Sequence, residues 1–213
     1  MDFQHNDKNQ SHIVQIMTTE HYTLQTGRSL VVSDTNGRAS LFLSTVSSTL
    51  IALAFVGNIS HLGGAFFVFA LVLFPSLLFL GLATFDTVLQ SAIEEKISVR
   101  GINRIRHLYV EMAPQIQPYF LLPTHDDETH TFQRASWWQN FLTLAGIIAV
   151  INSILAGVFV GLLMYQLFAL SLLLCVMGGL GMFLLSLIVL HRYQFTQWRG
   201  TINQLPVLFP PKS

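Results

Sequence analysis

The chain has 213 residues, of which 52% are hydrophobic and only 10% charged, with 11 Lys plus Arg balancing 11 Asp plus Glu. A soluble globular domain carries roughly one quarter charged residues, so this composition, with a mean hydropathy of +0.54, lies outside the ordinary soluble range. Zero formal net charge also removes any bulk attraction to nucleic acid or acidic lipid.

The N-terminal segment, residues 1–38, opens on the polar run MDFQHNDKNQ, for which disorder is expected. Apolar residues from Ile13 to Val31 are then scattered along a Thr- and Gln-rich stretch that permits an interrupted amphipathic helix from about residue 12. No apolar core of a cleavable signal peptide is evident in these 38 residues. At Ser33–Phe42, SDTNGRASLF, Asn36-Gly37 is a turn signal. Yet Asp34 and Arg38 stand at i and i+4 in the favourable acid-first order, and Ser33, Gly37, Ser40 and Ser44 continue one small-residue face. The stretch is therefore read as the foot of a helix, with Asp34, Gly37 and Arg38 as a mechanical link between a regulator outside the bilayer and a path within it.

From Ala39 to Phe85, and again from Ala135 to His191, there is no Asp, Glu, Lys or Arg. A spanning helix needs about 20 apolar residues, so each run is long enough for two passes. GNISHLGG, Gly57–Gly64, breaks the first run, and the weaker MYQ, Met164–Gln166, breaks the second. The expected passes are about 40–58, 63–85, 140–163 and 167–190, in two hairpins covering 39–85 and 139–190. The fold class is all-α, a polytopic membrane protein with helical extensions. Lys and Arg cluster before, between and after the hairpins and are missing from both short turns, which predicts both termini on the cytoplasmic side.

Between the hairpins, residues 86–138, apolar positions keep helical spacing past the membrane until Pro114, with Gly101 as a potential break. The following stretch, with Pro114, Pro118 and Pro123, is expected to be irregular. Trp137 and Trp138 read as an interfacial anchor. The tail, 191–213, follows His191 and Arg192, which suit the end of the last pass. Cys175 is the only cysteine, which excludes an internal disulfide framework.

Several groups are candidates for chemistry. Ser40, Ser44, Ser48 and Ala52, spaced by four, fall on one face of the first pass. Such a ridge serves close helix contact or, with several copies around an axis, a hydroxyl-lined path. Asn152 and Ser153 sit mid-way along the third pass, where a polar group must find a partner or line a constriction. Gly157 and Gly161, like Gly178, Gly179 and Gly181, suit helix packing. Arg100, Arg104 and Arg106, with Asn103 and His107, form a basic stretch suited to phosphate, or to topology and lipid headgroups. THDDETH, Thr124–His130, offers imidazoles and carboxylates, but its spacing matches no metal motif and a solvated acidic loop is expected. GxSxG, HExxH, P-loop and GxGxxG signatures are missing. Neither an enzyme nor a cofactor or metal is expected.

Ser33–Phe55, with its polar foot of Asp34, Arg38 and Ala39 leading into a Ser/Thr-rich helix, followed by the basic stretch Gly101–Pro114, resembles small bacterial membrane effectors of nucleotide-signalled anti-phage defence. These include Pycsar-type membrane effectors and four-pass Hailong effectors. The resemblance implies a homo-oligomeric inner-membrane protein, gated by a nucleotide or oligonucleotide from a neighbouring nucleotidyltransferase, that depolarises the infected cell. The competing expectation is a non-enzymatic membrane scaffold or adaptor that docks a protein partner.

Overall fold

The computed structural model describes residues 3–127, 142–168, 171–202 and 205–210. They form four helices, α1 (Phe3–Ile59), α2 (Gly64–Met112), α3 (Leu144–Phe168) and α4 (Leu172–Ile202), with a short 3-10 helix, Pro114–Tyr119, after α2. No described residue is in a strand. All four helices are long and apolar enough to cross a bilayer. The chain is an all-α polytopic membrane protein whose four passes are set by the two uncharged runs.

The helix ends depart from the expected ones wherever a breaker is missing. α1 begins at Phe3, where disorder was expected, and passes through Asn36-Gly37 without a turn. With no proline between Phe3 and Ile59, nothing in the chain blocks propagation. Gly101 does not divide α2, and Pro75 is accommodated inside it. Leu24 fills the space a side chain at residue 101 would take, its Cδ1 lying 3.0 Å from that Cβ position, so Gly101 admits a neighbour rather than ending a helix. Met164–Gln166 is helical, not a turn, because Met, Tyr and Gln are all tolerated in helices. α4 continues past His191 and Arg192 to Ile202, as α2 continues past the first uncharged run. The expected stops that hold are the strong ones. α2 ends at Met112 ahead of Pro114, and α1 and α2 are joined by a tight turn in which Leu62 N donates to Gly57 O at 2.9 Å. That turn places His61 and Leu62 at positive φ, 46° and 56°.

The chain divides into two compact units. The membrane unit comprises residues 35–90 and 135–200. Its interior holds Phe42, Phe74, Phe85 and Leu89 from α1 and α2 against Ile148 and Leu155 of α3. α3 and α4 meet backbone to backbone: a Cβ on Gly157 would lie 2.7 Å from Gly179 O, and one on Gly179 would lie 2.8 Å from Gly157 O. Small residues allow this approach where lipid supplies no hydrophobic drive for helix association. At the end of the unit, Tyr193 donates to Asp86 Oδ1 at 2.9 Å.

The polar unit comprises residues 1–34, 91–134 and 201–213. Here the early part of α1 packs along the later part of α2. Ile93, Ile102 and Ile105 are buried, and Arg28 donates through Nε and Nη2 to Glu95 Oε1 at 3.1 and 2.8 Å. Thr18 and Tyr109 hydroxyls lie 3.5 Å apart along the same seam.

Candidate functional site

The basic residues of α2 divide into two sets by helix geometry. At about 100° per residue, Arg100, Arg104 and His107 follow one face, while Arg106 turns about 200° from Arg104. The first set holds the C-terminal tail. Arg100 Nη1 donates to Leu205 O at 3.2 Å, and Arg104 Nη2 donates to Pro206 O at 2.5 Å. Arg104 Nε also donates to Asp126 Oδ2 at 2.7 Å. The His107 ring stacks on Phe209 with centroids 4.0 Å apart, its Nδ1 is 3.1 Å from Thr124 O and its Nε2 3.4 Å from Glu111.

Asp126 is the centre of this clasp and is 1% exposed. The amides of Leu208 and Phe209 donate to its carboxylate, Phe209 to Oδ1 at 2.8 Å, and Asp126 N donates back to Phe209 O at 3.1 Å. Burial pushes the carboxyl pKa up, but the two amides and Arg104 outweigh it and hold the group below its ordinary value. The expectation of a solvated acidic loop is overturned at this residue, since five hydrogen-bond contacts from three partners replace water. Neighbouring His125 Nδ1 lies 3.0 Å from Asp127 O. No cluster of potential metal ligands occurs among the described residues; Glu128, His130, Trp137 and Trp138 lie outside them.

Arg106 belongs to a different place. Its Nη1 donates to Asn103 Oδ1 at 2.9 Å, and it lines a cleft of about 480 Å³ between α1 and α2 together with Arg28, Glu95, Gln25 and Ser29. Burial, then the nearby Arg28 charge, lowers the Arg106 pKa. His21 is lowered in turn by burial and by Arg106. Thus the four residues expected to form one phosphate-binding face do not converge: Arg100, Arg104 and His107 hold the tail, and Arg106 faces a cleft.

In the membrane unit, the polar candidates also separate. Ser40, Ser44, Ser48 and Ala52 are exposed, turned away from the helices of their own chain, while Ala39, Phe42 and Val46 form the buried face of α1. Asn152 and Ser153 are fully buried. Ser153 Oγ donates to Ala149 O at 2.8 Å, a bond within its own helix. The Asn152 amide lies against Gly81 of α2, in the space a side chain there would need, and neither its oxygen nor its nitrogen has a hydrogen-bond partner among the described residues. Asp34, Gly37 and Arg38 are exposed along unbroken helix, with open space where a Gly37 Cβ would be. The large cavity of this unit, about 840 Å³, is lined by Phe66, Phe67, Gly157, Gly161, Cys175 and other uncharged groups. Its lining holds no Asp, Glu, Lys, Arg or His, and its polar side chains are the Tyr165 hydroxyl and the Cys175 thiol.

Comparison with protein-family models, with curated proteins and with solved structures returns no match.

Proposed function

We propose that the protein is an oligomeric membrane channel or membrane-disrupting effector of the bacterial inner membrane, with its polar unit on the cytoplasmic side as the regulatory part. The observation that carries this reading is the outward-facing hydroxyl stripe of Ser40, Ser44 and Ser48 within the uncharged part of α1, from Ala39 onward. A single chain buries its opposite face and leaves these hydroxyls to its surroundings. Lipid offers a serine hydroxyl nothing in return, whereas copies arranged about an axis would join the stripes into a polar path or contact. The distribution of Lys and Arg supports termini on the cytoplasmic side.

The likeness of the α1 foot to nucleotide-signalled anti-phage effectors supports a role in defence, with a nucleotide or oligonucleotide as regulator. The ligand-free protein conducts in this account, so expression without neighbouring genes depolarises cells. A voltage-sensitive dye provides the test: collapse of membrane potential on induction is expected, and normal potential at high expression overturns the reading. A second reading is favoured by Ile13, Ile16, Tyr22 and Leu30, apolar or aromatic side chains exposed on the polar part of α1. They suit a membrane adaptor that docks a protein partner, and that reading predicts unchanged membrane potential.

A further inference from the structure

We propose that the cleft between α1 and α2 in the polar unit binds a small phosphate-bearing anion, gripped by Arg28 and Arg106. This deepens the regulatory part of the proposed function and rests on it only for the consequence of binding, not for binding itself.

The charge arrangement is the first argument. Two guanidinium groups and one carboxylate, Glu95, line the cleft. Glu95 Oε1 accepts both Nε and Nη2 of Arg28, so the carboxylate is committed to that arginine. Arg106 pairs with a neutral amide oxygen, that of Asn103, through Nη1 alone. No carboxylate pairs with it among the described residues. Arg28 and Arg106 are close enough to repel, and burial raises the cost of leaving Arg106 without a counter-charge. An anion with several oxygens relieves both penalties at once.

Shape and lining supply the second argument. A volume of about 480 Å³ lies within the range of small-molecule sites. Planar guanidinium groups match phosphate oxygens two at a time. Ser29 adds a hydroxyl at the rim, and Gln25 an amide that already meets His21 Nε2 at 2.8 Å. Val32, Val99, Ile102 and Leu122 add aliphatic surface to the lining, which suits the apolar body of an organic phosphate better than a bare inorganic ion. The phosphate could be that of a soluble ligand such as a nucleotide or that of a lipid headgroup, and the same arginines would hold either.

The full chain in detergent tests the site by thermal unfolding with two probes, inorganic pyrophosphate and dispersed dihexanoyl phosphatidylglycerol. A ligand that binds only the folded state raises the midpoint with its concentration. The expected result is a rise with pyrophosphate that is lost in Arg106→Gln and kept in Arg199→Gln, a cation outside this cleft. A rise confined to the short-chain lipid, and likewise dependent on Arg106, supports the same site with a headgroup as its ligand. Equal rises in wild type and Arg106→Gln, or none with either probe, overturn the proposal. Should Arg106→Gln fail to fold, Ser29→Phe adds bulk to the cleft lining while keeping both arginines in the chain and is expected to abolish the response; an undiminished response in that variant also overturns it. Membrane depolarisation is measured without either probe, so failure of the conducting reading and failure of this site are told apart.

Discussion

Asp126 shows at the scale of one residue how a charged loop becomes structure. Its carboxylate is enclosed by two backbone amides and one guanidinium, and removing a partner leaves a buried charge. Asp126→Asn keeps the shape and is expected to cost about 1.5–3 kcal/mol in the polar unit, the scale of hydrogen bonds to a charged group. Arg104→Ala strands the carboxylate and is expected to cost more, about 3–5 kcal/mol. Hydrogen exchange at the Leu208 and Phe209 amides reads both, since each variant opens the tail locally; unchanged protection in both would show that the clasp does not hold it. The pH sense follows from the direction of the shift. A carboxyl held below its ordinary value takes up fewer protons in the folded than in the unfolded state. Its stabilisation is present above about pH 4 and is lost as pH falls through the lowered value. Tail protection is therefore expected to decline below about pH 4 and to lose most of that dependence in Asp126→Asn. For His21, whose pKa is also lowered, the neutral ring is the stabilising form, so the polar unit weakens as pH falls below about 6.5.

At the scale of elements, the four passes are legible because an uncharged run admits one interpretation, whereas their ends depend on what stops a helix. Pro114 and the Gly57–Gly64 turn are strong stops and hold. Met164–Gln166 is a weak one, and α3 runs through it. The division of the basic stretch of α2 was only half legible. Spacing alone separates Arg106 from Arg104, but the partners of Arg104 lie 22 and 102 residues away, beyond any local pattern. No turn signal or charge pair marks Leu205–Phe209 as a tail that returns to α2. Gly157, Gly161 and Gly179 were legible as packing positions and meet backbone, whereas Gly178 meets the Met164 side chain and Gly181, read from sequence as a packing position too, faces open space. Gly179→Leu must push the Gly157 carbonyl away and is expected to destabilise the hairpin by about 1–3 kcal/mol or more, the range of overpacked interiors. Gly181→Leu, where nothing lies within 4 Å of the added Cβ, serves as its control. Equal unfolding midpoints for the two variants would contradict the close α3–α4 contact.

At the scale of the whole molecule, two of the polar features that the described helices of the membrane unit leave unmatched bear on the proposed path. One is the exposed serine stripe of α1, which a second copy would satisfy; the other is the buried Asn152 amide, which no described residue satisfies. The proposed path runs along the first, because its hydroxyls face outward in series along one helix, while Asn152 is a contact of α3 with Gly81. Purified protein is accordingly expected to be larger than its 23.9 kDa monomer when measured by mass in detergent, and a monomer would leave the stripe without a partner. Ion flux from liposomes reconstituted with the wild-type chain and with the Ser44→Leu, Ser48→Leu double variant addresses the central claim most directly. The account predicts rapid release by the wild type and background release by the variant, because leucine side chains fill the stripe. Equal release by both would contradict it.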